Sequence, residues 1–255
     1  MPKKNQSKQF RGTTRSEKEQ GYAARMEQCI ACSPFSNLER LQNFTLYTPR
    51  QDLTNFLIRY EIFKRVLAVQ GSIIECGVLR GGGLMAWAQF SAILEPTNHQ
   101  RRVVGFDTFS GFPKLSKQDQ SSESGEARPG GLAAASYDHL QQCVELFDMN
   151  RSVGHVPKVE LVRGDATTTI PHYLMDNPQL IVSLLYLDFD IYEPTLVALK
   201  HFLPRMPKGA VIGFDELNLK DWRGESIAVL ESLKLREYRI ERCSFGSAMS
   251  FAQIE

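Results

Sequence analysis

The sequence has 255 residues, 42% of them hydrophobic and 23% charged, which is the composition of an ordinary globular α/β protein. Thirty Lys and Arg stand against 29 Asp and Glu, a net charge of +1, which speaks against a nucleic-acid binder driven by counterion release. No apolar run approaches the roughly 20 residues that a bilayer-spanning helix needs, so no membrane partner is expected.

The N-terminal stretch MPKKNQSKQFRGTTRSEKEQ is basic and has no apolar segment of the signal-peptide kind, so it is expected to be a solvated tail. Residues 1–45 as a whole are expected to form a polar extension ahead of one domain over 46–255. The five cysteines, Cys29, Cys32, Cys76, Cys143 and Cys243, are odd in number, and a cytoplasmic location with reduced thiols is expected. Cys29 and Cys32 make a formal C-x-x-C, but no second pair or histidine pair has zinc-ligand spacing, so coincidence is the better reading.

Leu53, Phe56, Leu57, Tyr60, Phe63 and Leu67 recur at helical spacing and predict an amphipathic helix over 51–69. SIIEC (72–76) reads as a buried strand, GGLMAWAQFSAIL (82–94) as a helix packed on it, and RRVVGFD (101–107) as a second strand. Residues 108–135, polar and rich in Gly, Ser and Pro, predict a lid or insertion. A helix is expected at 136–148, a strand at 158–164 and a short helix near 167–175. IVSLLYLD (181–188) is expected as a strand, 193–203 as a helix, GAVIGFDE (209–216) as a strand and 223–233 as a helix. Two closing strands, 238–243 and 247–254, are joined at Phe245-Gly246. Strands alternating with helices imply a parallel sheet covered on both faces, and so short a final connection must be antiparallel. The expected fold is therefore the α/β class I methyltransferase fold, Rossmann-like, with a seven-stranded, mostly parallel sheet and an antiparallel C-terminal hairpin.

Ligands in such sheets sit at the carboxyl ends of the strands. The first strand ends in ECGVLRGGG, with Glu75, Gly77, Gly81 and Gly82. Leu79 breaks the G-x-G-x-x-G of dinucleotide sites, whereas acid-x-G-x-x-x-G suits S-adenosylmethionine (SAM), whose cationic sulfonium tolerates a carboxylate that pyrophosphate would not. A glycine turn holding no ligand is the plain alternative. Asp107 closes the second strand where a carboxylate can accept two hydrogen bonds from ribose hydroxyls, with Ser110 just beyond it. Asp165 closes the third, where it can meet an adenine amino group or simply cap the next helix.

Strand four ends in Asp188-Phe189-Asp190 and strand five in Asp215-Glu216. Neighbouring strands would bring these acids together, and like charges so placed destabilise a fold unless a cation joins them. Oxygen-only ligands suit Mg2+ or another hard divalent cation better than zinc. The alternative is that two of the acids cap helices and the others face water.

ECGVLRGG (75–82), FDTFSGFP (106–113), LDFDIYEPT (187–195) and GAVIGFDE together resemble the macrocin O-methyltransferase family over about residues 50–235. The resemblance implies methylation of a sugar hydroxyl in natural-product biosynthesis, with SAM and Mg2+ as cofactors, and it leaves a homo-oligomer open. It also implies Asp188 as a metal ligand and Asp190 as general base. The family's usual pair of adjacent aspartates after strand five is here Asp215-Glu216, giving Asp188, Asp215 and Glu216 as the expected metal set. The acceptor is expected to be a small molecule bearing vicinal hydroxyls. A NAD-dependent oxidoreductase or sugar-nucleotide epimerase is disfavoured by the missing G-x-G-x-x-G and Tyr-x-x-x-Lys. A non-catalytic module of the same fold is the third reading.

Overall fold

The structure is a computed structural model in which residues 21–255 are described, except Ser121 and Ser247; the basic stretch 1–20, read as a tail, lies outside the described residues. The described residues fall into two compact units, one ending at Thr54 and one running Asn55–Glu255. In the first, the expected polar extension is helical, with α1 at Tyr22–Ala31 and α2 at Asn37–Gln42. A reciprocal capping box starts α2, because Ser36 accepts the Glu39 N–H while the Glu39 carboxylate accepts the Ser36 N–H.

α3 runs Arg50–Val66. Its buried residues are Ile58, Ile62, Phe63 and Val66, while Phe56 and Leu57 are exposed. The apolar positions of this segment wrap more than one face, so periodicity located the helix but not the side that the sheet covers. Then follow β1 (Ser72–Cys76), α4 (Gly82–Leu94), β2 (Val103–Asp107), α5 (Tyr137–Met149), β3 (Val159–Arg163), α6 (Ala166–Asp176), β4 (Val182–Leu187), α7 (Tyr192–Phe202), β5 (Val211–Phe214), α8 (Arg223–Ser232) and β6 (Ser250–Gln253).

Among the described residues the sheet has six strands in the order β3-β2-β1-β4-β5-β6, with only the β5–β6 pair antiparallel. The expected seventh strand is absent: 238–243 contributes a single antiparallel bridge, Glu241 to Phe251, through two N–H···O bonds of 2.8 Å. That segment alternates charged side chains along an outer edge, where a short, irregular strand guards against edge-to-edge pairing. Successive residues of each central strand point to opposite faces. Ile74, Leu185 and Ile212 pack on one face with Ile170, Phe202 and Val229, whereas Ile73, Leu184 and Val211 pack on the other with Ile62, Trp87 and Phe90. β1 and β4 are buried along their whole length and lie side by side, which puts the switch point of the topology between them.

Candidate active site

Backbone bonds carry the ladder past the strand ends and so place the acids. Asp188 N–H donates to Cys76 O at 2.7 Å and Asp215 N–H to Leu187 O at 3.1 Å, which lines up the ends of β1, β4 and β5. Gly77 (φ 99°) lets β1 turn away here, and a Cβ on it would collide with the Asp188 carbonyl.

At the end of β2 the Asp107 carboxylate is engaged by backbone. Asp107 Oδ2 accepts the N–H groups of Val78 (2.7 Å) and Leu79 (2.8 Å), and Oδ1 accepts that of Phe109 (2.6 Å). Three of about four acceptor positions are thereby filled, leaving room for one ribose hydroxyl rather than two. Gly81 (φ 84°) precedes α4, and a Cβ on Gly82 would meet nothing within 4 Å, so the mouth of this loop is open. Glu75 lies buried beneath the loop, and a Cβ on Gly83 would touch both it and Arg59. Burial pushes the Glu75 carboxyl up to about 8, with the Arg59 guanidinium opposing. Asp165 caps α6, its Oδ1 accepting from Thr167 N (2.9 Å) and Thr167 Oγ1 (2.7 Å). Ser110 is exposed.

The β4–β5 side is different. Burial raises both Asp188 and Asp190 well above the usual carboxylate range; Asp215 and then Asp190 add to the effect at Asp188, while Glu216 and then Asp215 add to it at Asp190. Asp190 is buried and holds a left-handed backbone, φ 63°. Asp215 accepts the Tyr186 hydroxyl at 2.6 Å, and Glu216 N–H donates to buried Glu225 at 3.3 Å. Arg59 of α3 stacks 4.9 Å from the Tyr186 ring, with Nη2 at 3.9 Å from Asp188 and 3.8 Å from Asp215.

Among the described residues no three His, Cys, Asp or Glu side chains are arranged to hold a metal ion. The expected set of Asp188, Asp215 and Glu216 therefore shares one edge without closing on a point, and a guanidinium stands beside two of its members. The donor chemistry still fits a hard cation, since the ligands are all oxygen and the mutual repulsion of Asp188, Asp190 and their neighbours would be relieved by positive charge.

Sequence reasoning missed Arg59, the Tyr186 hydroxyl and Glu225. An arginine set between Ile58 and Tyr60 in an amphipathic helix was the available signal for the first. Arg80, His139 and His155 are exposed, in keeping with surface roles, and Trp87 and Phe90 are core. The Tyr47 hydroxyl pairs with Ser33 Oγ at 3.0 Å. Cys29 and Cys32 are free and exposed.

A family model described as macrocin-O-methyltransferase (TylF) matches residues 55–232, which includes every strand-end acid above. This chain belongs to the macrocin O-methyltransferase family. It is thus an O-methyltransferase, as the sequence motifs implied. Within solved structures, the calicheamicin methyltransferase CalS11 is 33% identical, covering 94% of this chain and 93% of that one with a TM-score of 0.89. The apo structure of CalS11, described as a TDP-rhamnose 3'-O-methyltransferase of calicheamicin biosynthesis, is 32% identical over 94% and 95% with a TM-score of 0.81. The O-methyltransferase NovP shares the fold at 17% identity, covering 78% and 79% with a TM-score of 0.58. No curated protein matches the sequence. No helix among the described residues is long and apolar enough to cross a membrane.

Proposed function

We propose that this methyltransferase transfers the methyl group of SAM to a sugar hydroxyl, with a divalent cation such as Mg2+ assisting, and that the sugar is carried on a nucleoside diphosphate. The reading rests on part-buried Asp188 and buried Asp190 at the end of β4, beside Asp215 at the end of β5, in a chain 33% identical to CalS11. Residues 46–255 form the transferring unit in this reading, and the insertion at 108–135 shapes acceptor choice.

SAM supplies an electrophilic methyl group on a cationic sulfur. Gly77, Gly81 and Gly82 would admit its amino acid end to the loop above Glu75. Asp107 retains one acceptor position on Oδ1 for a ribose hydroxyl, Ser110 stands next to it, and Asp165 Oδ2 faces no cap bond and suits an adenine amino group. Asp188, Asp215 and Glu216 would hold the cation, which when bound supplies Lewis acidity that lowers the pKa of a sugar hydroxyl. Asp190 then accepts the hydroxyl proton on a carboxylate oxygen. Its raised proton affinity makes it a stronger base than an exposed aspartate, and nearby positive charge would keep it ionised. Burial of the strand ends keeps competing water away from the reacting oxygen.

The test is incubation with SAM, Mg2+ and TDP-rhamnose, read as a mass gain of one methylene on the sugar. It is paired with calorimetric titration of S-adenosylhomocysteine (SAH) and of NAD+. Binding of NAD+ in place of SAH would overturn the cofactor reading, and SAH binding without transfer to TDP-rhamnose would overturn the acceptor reading alone.

A further inference from the structure

The segment 108–135 is polar enough to read as a free lid, yet Asp119 within it is 2% exposed. Its Oδ2 accepts the N–H (2.8 Å) and the hydroxyl (2.6 Å) of Ser116, which folds the segment on itself. Its Oδ1 reaches across 73 residues of sequence to accept the N–H of Tyr192 at 2.9 Å. Tyr192 is the first residue of α7, and Ile191 before it has no side chain with which to cap. A helix's first N–H groups need outside acceptors, and a carboxylate there also meets the positive end of the helix dipole. The loop therefore supplies a cap that the local sequence lacks.

Two residues before that bond stands Asp190, in a left-handed conformation that an L-residue holds only when its surroundings over-determine it. Ile191 N–H turns back to Phe189 O at 2.6 Å, and Tyr192 N–H is taken by Asp119, so both amides after Asp190 are tied down. Other contacts hold the same segment across both acid-bearing strand ends. Lys114 pairs with Glu193 at 2.6 Å on α7, Phe112 packs edge-on to Trp222 at 5.7 Å, and Glu123 and Ser124 donate backbone bonds to Lys220 and Asp221. Gly224 of α8 backs onto the latch, where a Cβ would collide with Asp119 Oδ1 and the Tyr192 nitrogen.

We propose that Asp119 is a positioning residue, whose buried carboxylate latches the 108–135 segment to the first turn of α7 and thereby fixes the backbone that presents Asp190. The proposal rests on the reading of Asp190 as the base. Lid and base are then one assembly: the segment expected to shape acceptor choice also sets the direction of the proton acceptor.

The experiment compares Asp119→Ala, Asp119→Asn and Gly224→Ala with the wild type, reading kcat and KM with TDP-rhamnose, SAH affinity and hydrogen exchange at the Tyr192 amide. Asp119→Ala is expected to lower kcat about 100-fold, the scale of an ångström-level misplacement of a reacting group, with SAH affinity unchanged and Tyr192 exchange accelerated. Asp119→Asn, which keeps an acceptor oxygen for Tyr192 but turns an NH2 group toward the Ser116 N–H, is expected to restore part of kcat. Gly224→Ala, which wedges the latch while keeping Asp119, is expected to lower kcat in the same way, and it decides the matter if Asp119→Ala does not fold. Wild-type kcat in Asp119→Ala, or loss of SAH binding in step with kcat in both Asp119 variants, overturns the latch. Asp190→Asn separates the two ideas: an active Asp190→Asn removes the base, whereas an inactive one beside an unaffected Asp119→Ala removes only the latch. Should the wild type not methylate TDP-rhamnose, equal Tyr192 exchange in wild type and Asp119→Ala overturns the proposal by itself.

Discussion

The two halves of the carboxyl edge use the same residue type to opposite ends. At β2 and β3, Asp107 and Asp165 spend their oxygens on backbone amides: Asp107 accepts two from the loop after β1 and one from its own loop, and Asp165 caps the helix that follows it. At β4 and β5, burial first and the neighbouring acids second make Asp188 and Asp190 hold their protons more tightly, with Arg59 offsetting part of the charge at Asp188. A satisfied carboxylate is scaffold, and an unsatisfied one stores electrostatic free energy that a cation or a proton can release. The acids of β2 and β3 are thus held by hydrogen bonds, whereas those of β4 and β5 carry charge that a cation or a proton can offset; Glu75 in β1, which burial pushes up to about 8, belongs with the second group.

The sharpest way to break this contrast is Asp190→Asn, which should lower methyl transfer by about 10²–10⁴-fold, the usual share of a general base, while SAH affinity holds. Retained turnover would move Asp190 to the scaffold class. Cation removal comes next. Turnover in chelator should fall to a small fraction of the Mg2+ value and return on adding Mg2+ or Mn2+. Full turnover in chelator would mean that Arg59 is counter-charge enough.

Asp107→Ala tests the other side. Loss of the acceptor for three part-buried amides should cost about 2–4 kcal/mol of stability by denaturant unfolding, and SAH binding should weaken with it. An Asp107→Ala protein with native stability and weakened SAH binding would instead make this residue a ligand contact first.

The pH dependence distinguishes the halves without touching the loop. Carboxyls raised in the fold bind protons that the unfolded chain has already released, so stability from Asp188 and Asp190 is present below their unfolded pKa of about 4 and is lost as pH rises toward their folded values. In chelator, unfolding temperature should therefore fall from pH 4 towards neutrality, less steeply in Asp190→Asn and less steeply with Mg2+. A slope indifferent to both changes would show that the acid edge is not strained. The smallest effect is expected for Asp165→Ala, about 1 kcal/mol for a lost cap, with kcat intact.

The strand and helix positions of Asn55–Glu255 were largely legible because a two-sided parallel sheet writes itself as short apolar runs alternating with helical periods. GGLMAWAQFSAIL became α4 at the same bounds, and SIIEC became β1. The chain's edges read worse. YRIERC has the composition of a strand but forms one bridge, since an outer strand gains from only one neighbour. The helices of the N-terminal extension were missed because the stretch was read by its polar composition; both helices form with nothing apolar in them buried.

By itself, then, the sequence determined the fold class, the family and the fact that acids close every parallel strand except the first, where Glu75 sits one residue short of the end. These are properties of local pattern and of residue type. Which of those acids are at rest was decided only in the tertiary structure, because satisfaction depends on partners far away along the chain. The Val78 and Leu79 amides that occupy Asp107, the Arg59 guanidinium beside Asp188 and Asp215, and the Asp119 carboxylate that caps α7 from 73 residues away all arrive through folding. A carboxylate's charge is written in one letter, but the free energy of that charge belongs to its surroundings.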